Sequence, residues 1–374
     1  MKYYIIAGEA SGDLHGSNLM KAIRDADPDA DFRFWGGDLM KAAGGKLVRH
    51  IDTTSFMGFW EVLKNIGKIY RALRLCRKDL VMFSPDALIL IDYPGFNLRI
   101  ARYAKKHGIR VFYYISPKVW AWNSSRVRVI KKYVDHMLTI FPFETEFFRQ
   151  YGYEVDYVGN PVADAIEYRR CKDESAETFR ARTGVGDKPL IAVLPGSRIQ
   201  EISGCLPVML SVAGRFSGYR FVIAGAPSVS PDIYHRVTGG KFTVLFNETY
   251  ALLQHSSAAM VVSGTATLEA GLLGIPFVVC YRGSFVSYQI ARMFIRVRYI
   301  SLVNLILEKE VVRELLQDRL NRRNLAEEMN RILSDHGYRE NMLSEMDRLK
   351  LLVGGAGASK RAAGKIAGYL GIVK

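Results

Sequence analysis

Short apolar runs alternate with helix-periodic stretches through the first 160 residues of this chain, break off, and resume. The first series is "KYYIIAG", "DFRFWGG", "DALILID" at 86–92, "RVFYYIS" at 110–116, "HMLTIF" at 136–141 and "VDYVGN" at 155–160. Runs without polar alternation must be covered on both faces, and intervening helices impose parallel pairing, so the series predicts a doubly wound sheet. Over 166–189 the composition turns polar and helix-prone, ending in a Gly-Asp-Lys-Pro turn. The series then restarts with "LIAVLPGSR", "RFVIAG", "FTVLFN", "AAMVVSG" and "IPFVVCY", followed by charged helices over 308–350. At 374 residues one core is too small a frame. The reading is therefore α/β, two doubly wound Rossmann-like domains divided 1–168 and 169–350, with a small-residue tail over 351–374. Such folds bind ligands at the carboxyl ends of their strands, which are expected to face a central cleft.

Turns at those edges carry the candidate chemistry. "IIAGEASGDLHG" (5–16) leaves a strand through Gly8, Gly12 and Gly16, with Glu9, Ser11 and Asp13 between them. It predicts a glycine-rich turn with a helix over 16–25. The spacing is not a dinucleotide fingerprint and its carboxylates repel bare pyrophosphate, so a ligand with hydroxyls fits better. "LILIDYPGFN" puts Asp92 at an apolar strand tip, where partial burial raises a carboxyl toward the range of a general base; capping of the next helix is the alternative. Asn97 follows in the same turn. "YYISPKVWAWN" offers Ser116, Pro117, Trp120 and Trp122 as a sugar-facing wall or as aromatic core.

In the second series, "LPGSRIQEI" places Arg198, with Glu201 after it, on a loop where a guanidinium can neutralise a leaving phosphate or form a salt bridge. "VVSGTATLEAGLLGIPFVV" ends a strand at Ser263 and Gly264; Thr265 and Thr267 can cap the next helix. Glu269, one turn in, can accept hydrogen bonds from a ribose diol or complement the helix dipole.

A net charge of +15 selects for polyanions. No zinc-finger, RRM or helix-turn-helix signature appears, so nucleic acid is not expected. Instead, cations mix with large apolar side chains in two segments: Phe56, Met57, Phe59 and Trp60 lead into a helix bearing Lys64, Lys68, Arg71 and Lys78, and "GSFVSYQIARMFIRVRYI" holds Arg292, Arg296 and Arg298. Each alone reads as an amphipathic core helix; together they point to contact with an anionic lipid surface. No apolar run spans a membrane, and four scattered cysteines suit a reducing cytoplasm. Without a His-x-x-x-His pair, and with the "DPDAD" acids in a polar turn, no metal is expected.

"AGEASGD", "SPKVWAW", "LPGSR", "SGTATLE" and "SLVNLI", in this order over nearly the whole chain, resemble the bacterial lipid-A-disaccharide synthase family. The resemblance implies a GT-B glycosyltransferase at the cytoplasmic face of the inner membrane. It implies an inverting transfer in lipid A biosynthesis, from UDP-2,3-diacylglucosamine to the 6-hydroxyl of 2,3-diacylglucosamine 1-phosphate, giving a disaccharide 1-phosphate and UDP. By resemblance Asp92 is the favoured base and Glu9 the second catalytic carboxylate. Arg198 and Glu269 map to the nucleotide, and Asn304 and Gln317 to the donor's surroundings. The first domain then serves the acceptor and membrane, the second the UDP-sugar, and the terminal helix returns to the first. Phe56, Met57, Phe59 and Trp60 are placed beside acyl chains. No cofactor is implied, and a homodimer stays open. Many members read Ile-Asp-Ala-Pro-Asp-Phe-Asn where this chain has Tyr93 and Gly95, leaving Asp92 the only acid of the loop. The competing readings are another UDP-aminosugar transferase or epimerase of GT-B fold, and a nucleotide-binding membrane-surface adaptor.

Overall fold

The computed structural model describes residues 1–51, 66–122, 125–169, 171–283 and 298–372. It divides into two units, Met1–Asp164 with Gly355–Lys374, and Ala165–Gly354.

The first unit is built on a parallel sheet of β1 (Lys2–Ala7), β2 (Asp31–Gly36), β3 (Lys46–His50), β4 (Ala87–Ile91), β5 (Arg110–Tyr114), β6 (His136–Thr139) and β7 (Asp156–Tyr157). Their order is β3-β2-β1-β4-β5-β6-β7. The central strands are buried on both faces, as their unbroken apolar runs require. Tyr4, Ile6, Leu88, Leu90, Val111 and Tyr113 pack beneath helices Ile66–Phe83, Pro94–Lys106 and Arg126–Tyr133. Ala10–Ala26 contributes to the opposite layer.

That helix starts six residues earlier than the glycine pattern predicts. Gly12 and Gly16 lie inside it, because their spacing of four puts both on the side pressed to the sheet. A Cβ on Gly12 would stand 3.2 Å from Ala7 Cβ, and one on Gly16 2.7 Å from Met40 Sδ. These glycines serve close packing, and the turn itself is only Gly8–Glu9.

The chain returns to this unit at its end. Asp164 accepts from the backbone N–H groups of Gly357, Ala358 (3.0 Å) and Ser359 (2.8 Å), capping helix Ala358–Leu370. That helix packs against Ala10–Ala26. Its Tyr369 ring stacks on His136 at 3.6 Å.

The second unit repeats the plan with β8 (Leu190–Leu194), β9 (Arg220–Gly225), β10 (Thr243–Phe246), β11 (Ser256–Val262), β12 (Phe277–Tyr281) and β13 (Glu314–Leu316), in the order β10-β9-β8-β11-β12-β13. The polar stretch before it contains helix Ala176–Thr183, capped by Ser175, whose Oγ accepts from Thr178 N at 3.2 Å. Helices Arg322–Ser334 and His336–Val353 account for the charged segment. The pattern reading lacks β3 and β13: one is a half-exposed edge, the other three residues long.

Candidate active site

Each sheet has one place where the chain's progression reverses, between β1 and β4 in the first unit and between β8 and β11 in the second. Right-handed crossovers leave such neighbours toward opposite faces and open a crevice at their carboxyl ends. Ala7 pairs with Ile91, so Glu9 and Asp92 emerge side by side at the first of these points. Leu194 pairs with Val261, bringing the Pro195–Arg198 and Ser263–Thr265 turns together at the second.

Asp92 occupies a strained turn. Asp92 and Tyr93 both have left-handed backbones, at φ +43° and +48°, which cost on the order of 1–3 kcal/mol each and persist only under firm restraint. The restraint is visible. Asp92 N donates to Tyr114 O at 3.2 Å, while Asp92 O accepts from Asn97 Nδ2 at 2.8 Å and from the Tyr113 hydroxyl. Asn97 Nδ2 also donates to Ile91 O at 3.2 Å. Tyr93 stacks on Phe96 and lies so close to Gly8 that a Cβ there would stand 2.4 Å from the ring. Burial pushes the Asp92 carboxyl up, opposed by Lys118 and by a backbone hydrogen bond. Asn97 thus acts through the backbone of Asp92. At Gly95 a side chain would meet open space, so packing does not exclude a larger residue there.

Glu9 is the N-cap residue of Ala10–Ala26, and its charge helps burial raise the Tyr93 hydroxyl. Ser11 is exposed and Gly12 packs on the sheet. Asp13 points inward: its oxygens accept from Gly37 N (2.7 Å), Leu39 N (3.0 Å) and Met40 N (3.0 Å), capping helix Asp38–Ala43. Its hydrogen bonds fix this neighbouring turn.

Ser116, which precedes Pro117, and Trp120 are pinned by Glu144, which the sequence reading did not single out. Glu144 is buried; it accepts from Ser116 Oγ (2.7 Å), Trp120 Nε1 (3.1 Å), Ile140 N (3.0 Å) and Phe141 N (2.9 Å). Burial outweighs these bonds and raises its carboxyl. Its signal was present in "FPFE", proline at the first helical position and glutamate at the third, where a carboxylate can reach back to the amide before the helix.

In the second unit Arg198 is the exposed N-cap residue of helix Ile199–Leu210, and its Nη1 lies 3.4 Å from Glu201 Oε1. Glu201 folds back over Gly196, whose φ of +96° and lack of a side chain admit it. Ser263 Oγ donates to Ile300 O at 3.0 Å. The helix Thr265–Leu273 has Gly264, at φ +152°, as its N-cap, so neither threonine caps it. Thr265 is exposed; Thr267 is buried, donating to Gly264 O and accepting from Leu302 N. The turn therefore presents backbone with open space above Gly264. Glu269 accepts from the Tyr250 hydroxyl at 3.2 Å, and burial lifts its carboxyl to about 7.

Asn304 is buried: Val311 N and Val312 N donate to its oxygen, and its Nδ2 donates to Val312 O and Glu314 Oε1. Glu314 in turn accepts from Ile300 N and Ser301 N. The Gln317 carboxamide pairs with the Gly283 backbone at 3.2 Å. Asn304 and Gln317 therefore shape backbone at the β12–β13 side of the site. Lys68 is exposed on the first unit's helix Ile66–Phe83. Phe56, Met57, Phe59, Trp60, Lys64, Arg292 and Arg296 lie outside the described residues. Among the described residues no helix is long and apolar enough to cross a membrane, and no group of three His, Cys, Asp or Glu could hold a metal ion.

A family model described as Lipid-A-disaccharide synthetase matches residues 3–364. A lipid-A-disaccharide synthase from Myxococcus xanthus is 40% identical over 367 residues, 96% of this chain and 95% of the relative. One from Trichlorobacter lovleyi is 38% identical over 369 residues, covering 97% and 96%. Among solved structures, a UDP-GlcNAc 2-epimerase from Neisseria meningitidis bound to UDP-GlcNAc superposes with a TM-score of 0.69 at 14% identity, covering 98% of this chain and all of that one. The calicheamicin glycosyltransferase CalG4 gives 0.60 at 16%, covering 99% and 100%. These two likenesses show a shared GT-B fold.

Proposed function

The chain belongs to the lipid-A-disaccharide synthetase family, and from that premise we propose how its residues divide the reaction among them. It is an inverting glycosyltransferase that condenses UDP-2,3-diacylglucosamine with 2,3-diacylglucosamine 1-phosphate to lipid A disaccharide 1-phosphate and UDP. The observation that carries this is the family match over residues 3–364. The epimerase alternative has only the shared fold behind it.

In our reading Asp92 takes the proton from the acceptor's 6-hydroxyl as that oxygen attacks the anomeric carbon. The bond from that carbon to the UDP oxygen breaks on the opposite face, and UDP leaves with the electron pair. The raised carboxyl of Asp92 supports the assignment, and its restrained turn holds the base in one place, which limits the entropy lost on reaching the transition state. Glu9, beside it at the same switch point, orients acceptor hydroxyls. Leaving-group charge on UDP is met by Arg198 and by the backbone N–H groups opening helix Thr265–Leu273, with no metal required. Glu269 accepts from the uridine ribose, while Asn304 and Gln317 keep the neighbouring backbone in shape. The basic chain works at the anionic cytoplasmic face of the inner membrane, a reading supported by its net charge of +15.

Mass spectrometry of products from the two diacylglucosamine substrates, with and without EDTA, tests this. A disaccharide 1-phosphate in both samples is expected. Its loss on chelation sinks the metal-free scheme, and isomerised UDP-sugar without acceptor favours the epimerase reading.

A further inference from the structure

Three helices of the first unit, Ile66–Phe83, Pro94–Lys106 and Arg126–Tyr133, cover one face of its sheet and are rich in Lys and Arg. Asp79 is the sole carboxylate on them. It turns inward, accepting from the Tyr4 hydroxyl and from Arg33 Nη1, both at 2.9 Å. The outer side of this layer is left without a compensating acid of its own.

On that side lies a cavity of about 370 Å³ lined by Tyr70, Arg74, Arg77, Lys78 and Tyr103. Arg74, Arg77 and Lys78 stand at helical positions i, i+3 and i+4, which throws all three onto one flank. Among the described residues none of them forms an ion pair. Arg77 lies over the Tyr103 ring at 5.3 Å, and its buried Nε has no acceptor. Three like charges around a hollow repel one another, and a buried donor left unmet is unfavourable; an oxyanion relieves both. The helix follows β3 and leads to β4, so it runs from the carboxyl edge of the sheet to its amino edge. At 1.5 Å per residue, Arg74 to Lys78 stand roughly 12–18 Å along it, removed from the Asp92 turn.

We propose that this cavity is a phosphate-binding site, and that the phosphate it takes is the headgroup of an anionic lipid. The source follows from what surrounds it. Tyr70, Leu75 and Met82 on the same helix are exposed, at 68%, 43% and 71%. Apolar surface beside cations is the pairing of a helix lying in a lipid interface. The lipid source rests on the membrane-surface reading above; the phosphate site itself does not.

The test compares the full chain with R74Q/R77Q/K78Q and with a control of equal charge loss on the third helix, R128Q/K131Q/K132Q. Sedimentation uses phosphatidylcholine vesicles with and without phosphatidylglycerol, and a separate titration uses inorganic phosphate followed by thermal shift. Each cation near an anionic surface contributes about fivefold, so the cavity variant should lose on the order of a hundredfold in partitioning to anionic vesicles. The control should lose far less, and both should still transfer sugar between detergent-dispersed substrates. Parental binding of both vesicles and inorganic phosphate by the cavity variant, or equal loss in the control, overturns the site. Phosphate binding lost in the variant with unchanged vesicle binding overturns the lipid source. Failure of the parent to bind anionic vesicles removes the membrane reading instead, and the phosphate titration then decides the cavity alone.

Discussion

Glu269→Gln should make the protein more stable at high pH while weakening its hold on UDP. Burial lifts the Glu269 carboxyl from its ordinary 4.5 to about 7. Between those values the unfolded chain has lost a proton that the folded chain keeps. Stability contributed by this group is therefore complete below the unfolded value and falls as pH rises toward the folded one. At 1.36 kcal/mol per tenfold in proton affinity the full penalty is on the order of 3 kcal/mol. Since the side chain keeps some solvent contact, about 2 kcal/mol is expected. Glutamine does not ionise and escapes the penalty. For a unit of this size each kcal/mol moves the midpoint by about 2–4 °C, so calorimetry should find the variant roughly 4–8 °C more stable near pH 8 and unchanged near pH 4.5. UDP titration near pH 8 should show affinity down by about tenfold or more, because a carboxylate accepts both ribose hydroxyls and a carboxamide only one. An equal stability shift at both pH values, or a variant less stable near pH 8, refutes the reasoning.

Asp92→Asn should lower turnover by about a hundred- to ten-thousandfold with little change in unfolding temperature, and wild-type kcat/KM should rise with pH through the raised Asp92 value, as a rate profile can check. Gly8→Ala drives a methyl to 2.4 Å from the Tyr93 ring; it should cost about 1–3 kcal/mol and, by moving the Asp92 turn, at least about tenfold in turnover. Glu144→Ala leaves Trp120 Nε1 and the Ile140 and Phe141 amides unmet; a loss of about 3 kcal/mol by thermal unfolding and a red shift in tryptophan emission are expected.

The two sheets were legible because their central strands are apolar on both faces and alternate with helix-periodic stretches, the combined pattern of a covered parallel sheet. Edge strands such as β3 and β13 bury too little to leave that trace. The glycines of "EASGDLHG" misled because glycine marks both turns and tight packing, and only the neighbours Met40 and Ile91, distant in sequence, decide between them. The places of Asp92, Arg198 and Glu269, at or shortly beyond strand ends, were legible from the strand pattern, whereas the roles proposed for them rest on the family resemblance. What escaped was which polar side chains face inward. Asp13 and Asn304 carry the same chemistry as surface groups, and their burial against backbone amides is set by turns far along the chain. Tyr113, Tyr250 and Glu314 left no local signal, since each acts through a partner from another element.

The Asp164 bonds to the N–H groups of Gly357, Ala358 and Ser359 also set an order of events during synthesis. The first unit needs a helix encoded after all of Ala165–Gly354, so it stays unfinished while those residues are translated, roughly 10–40 s at ordinary ribosomal rates. Through that interval the side of Ala10–Ala26 that will receive the last helix is bare. The second unit, contiguous in the message, can mature first, and the nascent first unit is where a chaperone would have most to cover.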